Sequence, residues 1–230
     1  MDYFSQAIAE ALVLVLSLDA EVYTVVWTSI YISILAVCLA AVTSIPLGIV
    51  ISLKSFPGKP LLLQVLNTLM ALPTVVVGLL LYGLLTRQGP LGELGMLYTP
   101  LAMILGQWIL VSPIICNLTV SAVSSADPRL HTTCMTLGAG TWQQGLVFMS
   151  ELRLGLMAAV VAGFGRAIGE VGVAMMLGGN IEGFTRTMTT AIALETSKGE
   201  FELALALGML LLLVAFVVNG FLFRLQRKSR

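Results

Sequence analysis

Charge is what this sequence has least of. Asp, Glu, Lys and Arg make up 10% of its 230 residues, where soluble domains carry about 25%. With 58% hydrophobic residues and a mean hydropathy of +0.99, the chain has too little polar surface for a separate soluble domain. Histidine is nearly absent, His131 being the only one, which leaves no basis for Ser-His-Asp chemistry or a histidine metal site. The three cysteines, Cys38, Cys116 and Cys134, are scattered without metal-ligand spacing. They imply no disulfide and read as small apolar side chains. No G-x-x-x-x-G-K-[ST] string occurs; Pro57-Gly58-Lys59-Pro60 lacks its first glycine and its hydroxyl residue. The chain therefore has no nucleotide-phosphate loop of its own. Its first 21 residues also lack a basic leading segment, which argues against a cleaved signal peptide.

What is abundant is long apolar sequence. Residues 22–53, 61–86, 99–123, 154–177 and 203–223 are each long enough to cross a bilayer, for which about 20 residues suffice. Pro73 breaks the second run, Pro113 lies inside the third, and Pro46 with Gly48 bends the first. Residues 3–18 follow a helical pattern, but the apolar run is brief, so this segment reads as an interfacial helix, with a sixth crossing as the rival. The expectation is an all-α polytopic membrane protein of about five transmembrane helices. It divides into an N-terminal interfacial helix (residues 1–21), a transmembrane domain (22–223) and a basic tail (224–230).

Basic residues orient these spans. Lys54, Lys59, Arg129, Arg153, Arg224, Arg227, Lys228 and Arg230 fall in one set of alternate loops; only Arg87, Arg186 and Lys198 fall in the other. The positive-inside rule makes the first set cytoplasmic and places the N-terminus outside. Glu93, Glu182, Glu195, Glu200 and Glu202 then lie on the outer side, an acidic mouth that would not steer a free anion inward.

The longest polar interval, 127–155, begins with Asp127-Pro128, a capping residue followed by a proline suited to the first helical position. Gly138-Ala139-Gly140 breaks the pattern. The expected product is a short helix, a glycine turn and a second short helix at the membrane surface. Leu130, Cys134, Leu137 and Trp142 mark its apolar side, and Arg129, His131, Thr132, Thr133 and Gln143 its polar side. Such an elbow suits docking of a soluble partner.

Inside the fourth run, Arg166 and Glu170 are four apart and share a helical face. Either charge alone near mid-bilayer would cost roughly 2.5–3.5 kcal/mol. They pair, and they either line a path or fix helix packing. Asn180, at the end of that run, joins them as a candidate path residue. Gly165 and Gly169 have GxxxG spacing, which reads as helix packing. Asn67, Gln107, Asn117 and Asn180, with several Ser and Thr, read as interhelical hydrogen-bonding groups.

The string DPRLHTTCMTLGAGTW resembles the coupling-helix loop of type I ABC importer permeases, D-P-x-L-x-E-A-A-x-x-L-G-A-x-x-W. Asp127, Pro128, Leu130, Leu137, Gly138, Ala139 and Trp142 match, while Thr132, Thr133 and Cys134 replace the Glu-Ala-Ala. The run from Gly165 to Ile192 resembles the tungstate and molybdate branch. Its Gly165, Arg166, Ala167, Gly169, Glu170, Gly172, Met176, Gly179, Asn180 and Ile181 match, followed by Thr185, Thr187 and Met188. The wording TRTMTTAIALETSKGEF is nearest to the tungstate permeases.

The resemblance implies a permease subunit of an ATP-driven importer of a tetrahedral oxyanion, tungstate first and molybdate as the alternative. A partner-independent secondary transporter or channel is the rival of a different class. It implies a homodimer in the lipid bilayer, two ATPase subunits that hold ATP and Mg, and an extracytoplasmic oxyanion-binding protein. Neither a cofactor in this chain, nor a catalytic residue, nor nucleic acid is implied. Arg129, His131, Thr132, Thr133, Leu137, Gly138 and Trp142 would meet the ATPase.

Overall fold

The computed structural model of the chain describes residues 8–9, 12–13 and 20–228. The interfacial helix expected over residues 1–21 lies almost wholly outside them. Ten α-helices and one 3-10 turn, and no strand, are found among the described residues. The all-α expectation holds.

Helix α1, Ala20–Leu53, runs through Pro46 without a break. At 1.5 Å per residue it is about 50 Å long, well beyond the ~30 Å hydrocarbon core. Ser29, Ile32, Ser33, Ala36 and Ala40 form a buried stripe at helical spacing. That stripe packs on α4, Pro100–Ser124, the central helix of the molecule. Thr99 opens α4 as its cap, and Pro100 sits where a missing N–H costs nothing. The crossing is tightest at Gly48, where a Cβ would stand 2.9 Å from both the Cys116 carbonyl and Thr119.

Between α1 and α4 lie α2, Lys59–Leu69, and α3, Thr74–Leu85, set at 97° to each other. Pro73, the N-cap of α3, has extended backbone and no N–H to continue the preceding helix. This is the break that the sequence predicts. A 3-10 turn, Gly92–Leu94, leads into α4.

After α4 come α5, Pro128–Thr136, and α6, Thr141–Glu151, then α7, Arg153–Ile168, bent 76° from α6. Three helices (22–53, 100–124 and 201–221) are individually long and apolar enough to cross a membrane, and five crossings result if each bent pair is one span.

The fourth run departs from expectation. It is not one helix over 154–177: α7 stops at Ile168, residues 169–171 are irregular, and α8 covers Gly172–Gly178. The close approach of α7 to α4 is at Gly163, where a Cβ would meet Val111 at 2.8 Å; Gly165 has nothing near it, so the GxxxG pair is not the packing surface.

The interval 178–202, read as a polar excursion, contains α9, Met188–Lys198, whose Met188, Thr189, Thr190, Ala191 and Glu195 are buried. Its polar letters misled because threonines can be satisfied by backbone inside a core. Helix α10, Phe201–Lys228, closes the fold. Only 17% of its most apolar window is buried, against 61% for α4, so its surface faces lipid or another subunit. Cys116 and Cys134 are buried as expected, whereas Cys38 is exposed on α1.

Candidate functional sites at the elbow and at the helix break

The elbow is held by local bonds. Asp127 Oδ1 accepts from the Arg129 amide at 2.8 Å, capping α5. At the far end Gly138 has φ +73, its amide donates to Met135 O, and the Ala139 amide donates back to Cys134 O at 3.0 Å. That pair of bonds ends a helix with a left-handed residue, a conformation that glycine adopts at no steric cost. Gln143 Oε1 then accepts from the Gly140 amide and opens α6.

Geometry splits the apolar side expected from sequence. Cys134 is buried, and Leu130 packs against the cluster of Ile49, Val123 and Phe148, anchoring the elbow to the membrane helices. Leu137, the last residue before the reversal at Gly138, and Trp142, just past it, are 80% and 78% exposed, and Met135 is exposed as well. Arg129, Thr132 and Thr133 are exposed as expected. His131 is not fully so: it lines a cavity of about 400 Å³ with Ser52, Ser124, Asp127 and Phe148, facing back toward the membrane helices.

The same end gathers the basic turn. Ser52 near the end of α1 lies 3.3 Å from Ser124 at the end of α4. Lys59 Nζ donates to Ser52 O and Lys54 O. Lys54, Lys59 and Arg129 thus leave the helices on one side, as alternate-loop counting requires. An apolar groove of about 620 Å³ separates α1 from α6 here, with Pro46, Ile49 and Trp142 among its walls.

The second site is the break between α7 and α8. Arg166 Nη1 donates to Glu170 Oε2 at 2.6 Å, and the other carboxylate oxygen accepts from the Val173 amide at 3.1 Å. The Glu170 side chain is 2% exposed and that of Arg166 35%. The pair is therefore real, but asymmetric: a buried carboxylate that caps the first turn of α8, and a guanidinium with one flank open. The Glu170 carbonyl accepts from Thr189 Oγ1 at 2.7 Å. Helical spacing foretold the pair but not the break, because Gly169 ends α7 before Glu170.

Asn180 is not with them. It sits past the other end of α8, about 10 Å of helix away. It has φ +51, and its buried Oδ1 lacks a hydrogen-bond partner among the described residues. Beside it Gly179 closes on the Tyr98 ring, a Cβ there falling 2.8 Å from Cδ1. Tyr98 is itself left-handed at φ +63, and its amide donates to Leu177 O. Its hydroxyl donates to Tyr82 at 3.4 Å, which together with burial holds the phenol above its usual range. Both tyrosines, Met176 and Gly179 line a cavity of about 550 Å³ at this end.

The threonines of residues 185–190 bond mainly to nearby backbone and to each other. Thr185 Oγ1 donates to Gly178 O, and Thr187 and Thr190 cap α9 reciprocally. The Met188 amide donates to Ser29 Oγ on α1 at 2.7 Å. The run TRTMTT carried this signal, since hydroxyl residues three apart before a helix form a cap. Asn67 and Asn117 do bond across α2 and α4, at 2.5 Å. Among the described residues no three His, Cys, Asp or Glu side chains converge on a metal-sized site.

Residues 44–230 match the family described as binding-protein-dependent transport system inner membrane component. The chain is 41% identical to the tungstate uptake system permease protein TupB of Peptoclostridium acidaminophilum, over 99% of this chain and 100% of that one. It is 37% identical to TupB of Campylobacter jejuni, over 99% and 95% respectively. It is 29% identical to the molybdenum transport system permease protein ModB of Escherichia coli K12, over 88% and 95%.

Proposed function

The chain belongs to the family of binding-protein-dependent transport system inner membrane components, and on that premise we propose that it is the permease subunit of a tungstate importer. As an ABC importer permease it works with an ATPase and an extracytoplasmic binding protein. The observation that carries the substrate is the 41% identity to a tungstate uptake permease along essentially the full length of both chains.

In this reading two copies enclose the path, and each offers its elbow to one ATPase subunit, which carries ATP and Mg. Met135, Leu137 and Trp142 fill a groove on the ATPase; each buried side chain of that size stabilises the contact by roughly 1.5–3 kcal/mol. Arg129, Thr132 and Thr133 form the polar rim. The Schellman turn at Gly138 and the anchor at Leu130 and Phe148 pass the movement of the ATPases to α1 and α4. The elbow and the C-terminus are cytoplasmic, following the positive charge.

At the break, Glu170 holds Arg166 and so withholds its positive charge from an anion. Release of that latch, when the helices part, frees a cation beside the path. Since the outer loops are acidic, the oxyanion is delivered by its binding protein rather than drawn by the field.

The test is reconstitution of the complete transporter in proteoliposomes. ATP-dependent accumulation of tungstate, competed only weakly by molybdate and sulfate, is the expected outcome. Preference for molybdate would reassign the substrate, and flux through the permease without its ATPase would make it a secondary transporter or channel.

A further inference from the structure

Glu170 is fixed twice, and the two attachments come from different directions. Its carboxylate is held from its own chain segment, by Arg166 at 2.6 Å and by the Val173 amide at 3.1 Å. Its carbonyl is held from a distant segment, by Thr189 Oγ1 at 2.7 Å. The second attachment matters because Glu170 lies between α7 and α8, where neither helix supplies a partner for its carbonyl. Glu170 is 3% exposed, so water does not serve this one.

Thr189 is in turn held by its surroundings. Its hydroxyl lies 3.0 Å from Thr187 Oγ1, within the cap of α9. The neighbouring Met188 amide donates to Ser29 Oγ on α1, and Ser29 Oγ donates to Val25 O. Met188, Thr189 and Thr190 are all buried. The first turn of α9 is therefore wedged between α1 and the break. It is continuous in sequence with the outer turn 179–187, which Thr185 ties to the end of α8 through Gly178 O at 2.6 Å.

We propose that Thr189 is a positioning residue for the Arg166–Glu170 latch, through which displacement of the outer turn and of α9 is passed to the charged pair. The inference rests on the reading that this pair controls the path. A hydroxyl bond to the Glu170 carbonyl fixes the rotation of the 169–171 segment and hence the direction in which the carboxylate points. Loss of that bond leaves the carboxylate free to swing away from Arg166, and the latch opens without a signal from outside.

The experiment uses the complete transporter in proteoliposomes, with its ATPase and binding protein, and reads tungstate imported per ATP hydrolysed. Thr189→Val keeps shape and removes the hydroxyl; Thr189→Ser keeps the hydroxyl. The valine variant is expected to lower the ratio about fivefold, the worth of one hydrogen bond, and to raise ATP hydrolysis in the absence of binding protein. The serine variant is expected to restore both. Glu170→Gln is expected to lower the ratio by itself, and adding Thr189→Val to it is expected to change nothing further, because both act on one element. A valine variant equal to wild type, a serine variant as defective as valine, or independent multiplication of the two defects would overturn the role of Thr189. Glu170→Gln with an unchanged ratio would instead overturn the latch itself.

Discussion

The elbow and the helix break are both short interruptions in helical sequence, yet they are stabilised in opposite ways. The elbow is closed by bonds within a dozen residues, Asp127 at one end and Gly138 at the other, and it leaves Leu137 and Trp142 exposed. The break is closed by bonds across the fold, Thr189 to Glu170 and Met188 to Ser29, and it turns its polar groups inward. In the proposed function this difference has a use: an elbow gripped by a partner keeps its shape locally and leaves apolar surface uncovered, and a break that moves with the membrane helices is tied to them.

The sharpest way to break this comparison is at the charged pair. Arg166→Met leaves the Glu170 carboxylate buried with a single backbone donor. Removing one partner of a buried pair costs roughly 3–5 kcal/mol, and the partial exposure of Arg166 reduces this to roughly 2–4. Thermal unfolding of the purified transporter should fall accordingly, and the double variant Arg166→Met/Glu170→Met should regain most of it. A loss below about 1 kcal/mol would mean that solvent reaches the carboxylate.

The elbow should respond differently. Trp142→Ala should leave the isolated permease as stable as before, since the ring is 78% exposed. It should weaken ATPase binding by about 2 kcal/mol, close to thirtyfold, as loss of an aromatic anchor does. A titration of detergent-solubilised permease with its ATPase measures this. Unchanged affinity would show that the outward apolar residues serve some other surface.

The elbow was almost fully legible in the sequence because every determinant is local: a capping Asp127, Pro128 behind it, and Gly138 where the chain reverses. The three long apolar helices and the bend at Pro73 were legible for the same reason, whereas the fourth run breaks at residues 169–171. What could not be read was which of the four residues grouped by one helical period would be covered: Leu130 and Cys134 pack inward, while Leu137 at the end of α5 and Trp142 past the reversal are left exposed. The break was half legible. Spacing paired Arg166 with Glu170, but nothing nearby in sequence says that Thr189, nineteen positions on, satisfies the Glu170 carbonyl. Nor does it say that Ser29, 159 positions away, receives the Met188 amide. Asn180 was grouped with the pair by proximity in sequence, and α8 separates them.

Gly138→Val tests whether the reversal itself is needed. At φ +73 a β-branched residue is strained by roughly 1–2 kcal/mol. There is open space around the position, so no clash adds to that. Membrane insertion and the helix core should be unaffected, while ATP-driven tungstate uptake falls about tenfold, the equivalent of 1.4 kcal/mol. Gly138→Asn, which tolerates the left-handed region, should retain most of it. Wild-type uptake in the valine variant would separate transport from the shape of this turn.

The smallest effect is expected at the other end of α5. Asp127→Ala removes the acceptor for the Arg129 amide and should cost about 1 kcal/mol, as other N-caps do. Asp127→Asn should be nearly neutral, because its side-chain oxygen still accepts. If α5 is held by its cap, the alanine variant frays the first turn, and hydrogen exchange at Arg129 and Leu130 rises while ATPase affinity drops a few fold. If the anchor of Leu130 on Phe148 is enough, exchange there stays slow and affinity is unmoved. The elbow would then be held by packing across the fold, as the break is held by its cross-fold bonds, and the contrast between the two sites would reduce to which way their side chains face.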